Sequence, residues 1–310
     1  MKKTMINTSH IEGYLYEHDL KLKVSGDTSK NPGTPFISGT VSIATDDACT
    51  NIVSVHFTYV TATTAKGNAN ATFGTLKNIV DGVIGSVMSK GKENAAKIRI
   101  DSAIGLNEFY SNRTGTEELV SVKRNEGGFV HLADALVDEN ARNTFKVDMV
   151  ITQVTHVDAN DENNTPEKAI VKGCIFDFRK ALLPVEFTAL NPNAIAYFES
   201  LEATNKNPVF TNIWGRQISE TIVRRTVEES AFGEDAVKET KSTRRDFVIT
   251  GAAKEPYIWD DEEYITAAEL AEAMAARETY LATIKQRQDE YRASQGQATS
   301  AAPAAGGFNF

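Results

Sequence analysis

Residues 52–61 read Ile-Val-Ser-Val-His-Phe-Thr-Tyr-Val-Thr. Val53, Val55, Phe57 and Tyr59 alternate with Ser54, His56 and Thr58, the period of a strand with one buried and one solvated face. Before it, Phe36-Ile-Ser-Gly-Thr-Val-Ser-Ile43 follows the turn-forming residues 27–35 and predicts another strand over 37–43.

The same signals recur outward along the chain. Residues 96–104, 118–124, 128–132, 144–157, 168–178, 182–190 and 208–222 are strand-like. Over 97–101, Lys97, Arg99 and Asp101 fall on one face and Ile98 and Ile100 on the other. Helical spacing is confined to short stretches. Leu76, Ile79, Val80, Val83, Ile84 and Val87 predict one helix over 76–88, weakened by Gly82 and Gly85. Asn191 as cap and Pro192 in the first turn predict another over 193–203. The acidic stretch 158–167 reads as an exposed connection between two strands of a hairpin. No repeat of solenoid or propeller period is present.

Residues 1–222 are therefore expected to form a mainly β (α+β) core, followed by a charged connecting segment over 223–264. Thr266 and Glu269 make a capping box that opens an amphipathic helix over 265–292. Its apolar positions Leu270, Met274, Leu281, Ile284 and Tyr291 are interrupted by Arg277 and Gln288. Residues 293–310 carry no charged side chain and are expected to be a disordered tail ending in Phe308 and Phe310.

The chain has 33 Lys+Arg against 42 Asp+Glu, a formal charge of −9, and 41% hydrophobic residues, enough for a sizeable core. No run approaches eighteen apolar residues, and MKKTMINTSH has two lysines with no apolar stretch behind them. Neither a spanning helix nor a Sec-type leader is expected, and a cytoplasmic protein is. Cys49 and Cys174 lack metal or redox spacing and read as reduced core thiols.

Catalytic signatures are missing: there is no GxSxG, P-loop, GxGxxG or HExxH. His156 and Asp158 alternate on a strand end, but a surface histidine beside an acidic loop explains them without a metal, and no cofactor is expected. What remains is the neighbourhood of cations and aromatics that single-stranded nucleic acid requires, cations for phosphates and π-faces for bases. Three groups supply it: Lys97, Arg99, Phe109, Tyr110, Arg113, Lys123, Arg124 and Phe129; Phe176, Phe178, Arg179 and Lys180; Trp214 and Arg216.

The segments Phe36–Ile43, 53–59, Lys172-Gly-Cys-Ile-Phe-Asp-Phe178 and 193–210, with Trp214-Gly-Arg216 and the small-residue tail, make the chain resemble bacteriophage-type single-stranded DNA-binding proteins with an OB-fold. The resemblance implies an OB-like antiparallel β-barrel with aromatic stacking platforms on its strands. It implies a non-enzymatic protein that coats single-stranded DNA during phage or mobile-element replication or recombination, as a homo-oligomer. The tail departs from the family pattern, since its acids lie upstream, at Asp260–Glu263, rather than beside Phe308 and Phe310. Recruitment of replication or recombination partners through those two aromatics is an expectation only. The upstream acids would instead compete for a basic groove when DNA is absent. Two rivals stay open: a phage virion or tail protein that self-assembles, and a nuclease holding Mg²⁺ through Asp46, Asp47, Asp158 or Asp161.

Overall fold

The computed structural model describes residues 5–27, 29–113, 116–160, 165–228, 232, 236–259 and 264–299. The first half supplies β1 (Asn7–His18), β2 (Lys21–Val24), β3 (Pro35–Ala44), β4 (Ile52–Thr61), α1 (Ala71–Val80), α2 (Val87–Lys90), β5 (Lys97–Ser111) and β6 (Glu118–Leu132). The second supplies β7 (Asn143–Val157), β8 (Lys168–Phe176), β9 (Leu182–Ala189), α3 (Pro192–Ser200), β10 (Val209–Glu228), β11 (Ala236–Ala252) and the long α4 (Ala267–Thr299).

The mainly β reading holds, and the strands close on themselves twice. In the first half, β1 pairs with β3, β3 with β4, β4 with β6, β6 with β5, and β5 with β1. In the second, β7 pairs with β8, β8 with β9, β9 with β11, β11 with β10, and β10 with β7. Each is a closed cycle of five strands with the same order. Neither is wholly antiparallel as expected, because β4–β6 and β9–β11 run parallel. The strands of the expected core over 1–222, together with β11 beyond it, form two rings, separated between β6 and β7. Hydrophobic periodicity does not reveal such a repeat, because the same order of strands can be built from different side chains.

Each ring has its own core. Ile11, Leu15, Ile37, Val41, Val55, Phe57, Ile98 and Ile100 fill the first, and Leu76 and Ile79 of α1 pack onto it. Phe145, Val147, Met149, Val171, Ile175, Phe187 and Ile213 fill the second, joined by Ile195 and Phe198 of α3. The expected caps hold: Asn191 Oδ1 accepts the Asn193 amide at 2.9 Å, and the Thr266 hydroxyl accepts that of Glu269 at 3.2 Å. The single helix expected over 76–88 is broken into α1 and α2, with Gly82 at φ +73° just beyond the first. Close packing of strands also has local requirements: a Cβ on Gly13 would stand 2.0 Å from the Ala44 carbonyl oxygen, where β1 turns from β5 to β3.

The rings are joined rather than linked by a tether. β1 continues past β5 to pair with β7, Asn7 opposite Val147. Beside that seam lies a buried polar cluster. Ser9 Oγ donates to Asn125 Oδ1 at 2.9 Å, Asn125 Nδ2 to Gln217 Oε1 at 2.7 Å, and Gln217 Nε2 to Ser9 Oγ at 2.6 Å. These three come from β1, β6 and β10, and because buried polar groups are costly unless paired, the cluster specifies one arrangement of the rings.

The segment 223–264, expected to be a charged connection, is built otherwise. β10 continues to Glu228 and β11 begins at Ala236, the two paired without a shift from Gly215 opposite Ile249 to Glu228 opposite Ala236. Charged residues run through both strands among Val and Thr, which have strand propensity, so charge alone does not mark the segment as a connection. The Asp260–Glu263 cluster, Asp161, Phe308 and Phe310 lie outside the described residues. The expected tail over 293–310 begins within α4, which continues to Thr299. Cys174 is a buried core thiol, its pKa pushed up to about 12 by burial, whereas Cys49 is half-buried in the β3–β4 turn rather than in a core. No helix among the described residues is long and apolar enough to cross a membrane.

Candidate nucleic-acid interface

The alternation read over 52–61 is interrupted by one residue. Ile37 pairs with Val60 and Gly39 with Phe57, so β4 spends three steps where β3 spends two. Such a bulge shifts the side-chain period by one. Phe57 stays in the core, and Tyr59, expected beside it, turns outward and is 46% exposed. Gly39 makes the distortion feasible: its φ is +136°, and a Cβ there would meet the Leu20 Cα at 2.8 Å.

The outward Tyr59 ring meets Phe36, centroids 4.5 Å apart, and its hydroxyl lies 2.9 Å from Ser25 Oγ. β2 adds the charge. Lys23 pairs with Phe36 and Lys21 with Ser38, while Leu22 pairs with the buried Ile37. Opposite residues share a face, so Lys21, Lys23, Phe36 and Tyr59 stand together on the side of β2–β3–β4 away from the core. His56, farther along β4, adds no charge near neutral pH, since burial and then Arg124 lower its pKa. Sequence reading missed this face. The Lys21–Lys23 spacing was the available signal, but the bulge that exposes Tyr59 was not.

The expected binding residues are dispersed over several surfaces. Arg99 and Phe129 share the outer face of β1–β5–β6, where Phe129 is 70% exposed. The charge there is locally matched: Arg99 Nε lies 3.1 Å from Asp101, which His10 Nδ1 approaches at 2.8 Å. Lys97 Nζ donates to the Asp134 carbonyl at 3.3 Å, and Arg124 pairs with Glu126 at 2.6 Å. Arg113 is exposed in the β5–β6 turn. Phe178 is 79% exposed on the β8–β9 turn, with the Arg179 guanidinium 5.0 Å above its ring and Lys180 next to it.

Others are engaged inside the molecule. Lys123 leaves β6 for the second ring, where Nζ donates to the Glu186 carbonyl and lies 4.5 and 4.4 Å from the Phe187 and Phe247 rings. Burial lowers its pKa to about 8, against the raising effects of Glu186 and Asp246. Arg216 donates to Asn143 and Asn140 at 3.1 and 2.8 Å, and Trp214 is half-covered, with Lys146 at 6.0 Å. Phe109 is partly exposed, but Tyr110 is bonded to α4 through its backbone and has Lys285 at 5.6 Å from its ring.

That contact comes from the two residues that interrupted the apolar pattern of α4. Gln288 bonds the Tyr110 amide at 2.8 Å, and Arg277 forms a buried ion pair with Glu108 while donating to the Leu182 carbonyl at 3.2 Å. Arg292 and then Lys285 lower the Glu117 pKa, holding its carboxylate at 2.8 and 3.0 Å. Thus α4 straps the second ring to the β5–β6 hairpin of the first. Among the described residues, no group of three or more His, Cys, Asp and Glu is arranged to hold a metal ion.

No curated protein matches the chain. A solved structure, of a deletion mutant of the single-stranded DNA-binding protein from Thermus aquaticus, is similar at a TM-score of 0.45 and 8% identity, over 84% of this chain and 99% of that one. The family described as YorF matches residues 6–287, nearly the whole of the two rings and α4, and the chain belongs to that family.

Proposed function

We propose that this protein binds single-stranded DNA without reading its sequence, on two OB-type barrels, and acts by occupancy rather than by catalysis. The strand order supports the fold reading. In each ring the first strand pairs with the second and fourth, the third pairs in parallel with the fifth, and a helix joins third to fourth. An OB-fold is a five-stranded Greek-key barrel whose second and third strands and adjoining loops bind oligonucleotides. In the first ring those strands are β3 and β4. The observation that carries the functional reading is the set of Lys21, Lys23, Phe36 and Tyr59 on that face, cations beside stacking surfaces. Coating of single strands in the cytoplasm during phage or mobile-element replication or recombination is the process this chemistry suits.

Fluorescence anisotropy with labelled oligo-dT and a matched duplex tests the reading. Preference for the single strand, weakening as salt rises and reduced by Lys21→Glu with Lys23→Glu, is expected. No binding to either at micromolar protein, with large regular oligomers in the absence of nucleic acid, would replace it with the virion reading.

A further inference from the structure

By position in the strand order, the counterpart of β3–β4 in the second ring is β8–β9. That face does not look outward. It forms one wall of a cleft of about 1030 Å³ between the rings, opposite residues 119–125 of β6. The base of the β10–β11 ribbon lines one side, and α4 contributes Arg277 and Leu281.

The cleft is basic although the chain is acidic. Its charged lining is Lys123, Arg124, Lys172, Arg245 and Arg277 against Glu186 and Asp246, in a protein of formal charge −9. Lys123, Arg124 and Arg277 are committed to the Phe187–Phe247 rings, Glu126 and Glu108 respectively. Lys172 stands 3.8 Å from Glu186, a loose exposed pair, and Arg245 is exposed. Val122, Pro184 and Val185 give the same space apolar walls.

We infer that the cleft is a second binding site, which takes a further stretch of the same DNA single strand with its phosphates at Lys172 and Arg245 and its bases against Val122 and Pro184. The inference rests on the single-strand-binding reading and adds that both rings are occupied by one strand. Charge complementarity selects the occupant: cations over apolar walls suit a flexible polyanion with flat faces, while a duplex cannot present its bases there. The strand then bridges the rings, and its footprint exceeds that of one barrel.

The experiment compares oligo-dT of about 8 and about 30 nucleotides, spanning the roughly 4–16 nucleotides that one OB barrel covers. Wild-type protein should bind the longer strand more tightly and with a steeper salt dependence. Lys172→Gln with Arg245→Gln should remove about two units of that slope, roughly one per phosphate contact. Arg245→Gln alone, away from the β8–β9 pairing, guards against a folding defect and should remove about one unit. Unchanged long-strand binding in both variants overturns the cleft site while the Lys21–Tyr59 face stands. Failure of the wild type to bind either length overturns both readings.

Discussion

Gln288 accepts the Tyr110 amide hydrogen on Oε1 at 2.8 Å and returns Nε2 to the Tyr110 carbonyl, so a helical side chain completes the backbone bonding of a strand 178 positions earlier. Gln288→Ala should therefore loosen the β5–β6 hairpin. Faster hydrogen exchange at the Tyr110 amide is expected, with a stability loss of about 1 kcal/mol, at the low end for a lost partner because Arg292 also reaches the carbonyl at 3.1 Å. Unchanged exchange at that amide would show the strap to be dispensable.

The neighbouring anchor is costlier to break. The Glu108 side chain is 2% exposed and that of Arg277 11%. Arg277→Met strands a buried carboxylate and should destabilise the fold by about 3–5 kcal/mol in urea melts, while adding Glu108→Leu should recover most of that loss. A double variant as unstable as the single would locate the cost in packing instead of charge.

On the β2–β3–β4 face, Tyr59→Ala should lower oligo-dT affinity by about 1–3 kcal/mol, the range for one stacked base. Tyr59→Phe keeps the ring and loses only the Ser25 contact, so it should bind nearly as well as wild type. Equal losses in the two would assign the effect to the hydroxyl.

Lys123 gives stability a pH dependence at the alkaline end. Its folded pKa is about 8, below the ordinary lysine value of 10.5. Between those values the unfolded chain holds the extra proton, so stability should rise with pH from about 8 to 10.5. Lys123→Met should flatten that rise in thermal melts recorded across the window.

Where α3 meets the end of β7, His156 Nδ1 lies 2.7 Å from Glu199, with Asp158 and Glu167 within 3.4 Å of Nε2. The bond to Glu199 is the chief cause of its raised pKa. The stabilising contribution is thus complete below the ordinary histidine pKa and is lost as pH rises through the folded one. An NMR titration of the imidazole should place its midpoint above 6.5, and Glu199→Gln should bring it down.

The alternation of Lys97, Arg99 and Asp101 against Ile98 and Ile100, and the caps at Asn191 and Thr266, were legible in order along the chain. Each depends on neighbours within a turn or a pleat, where side-chain period and local hydrogen bonding act without knowledge of the rest. Those local terms were enough to determine a mainly β protein with few helices and no advertised catalytic motif. Tyr59 lay beyond their reach, because its exposure follows from a bulge set by pairing with β3. Lys123 and Arg277 did too: alternation makes one an outward cation and the other a flaw in a helix stripe. Closure of two rings, and the polar cluster of Ser9, Asn125 and Gln217 between them, brought both to partners more than sixty residues away. Burial and charge pairing are properties of distance in space, and only the closed, joined rings set those distances.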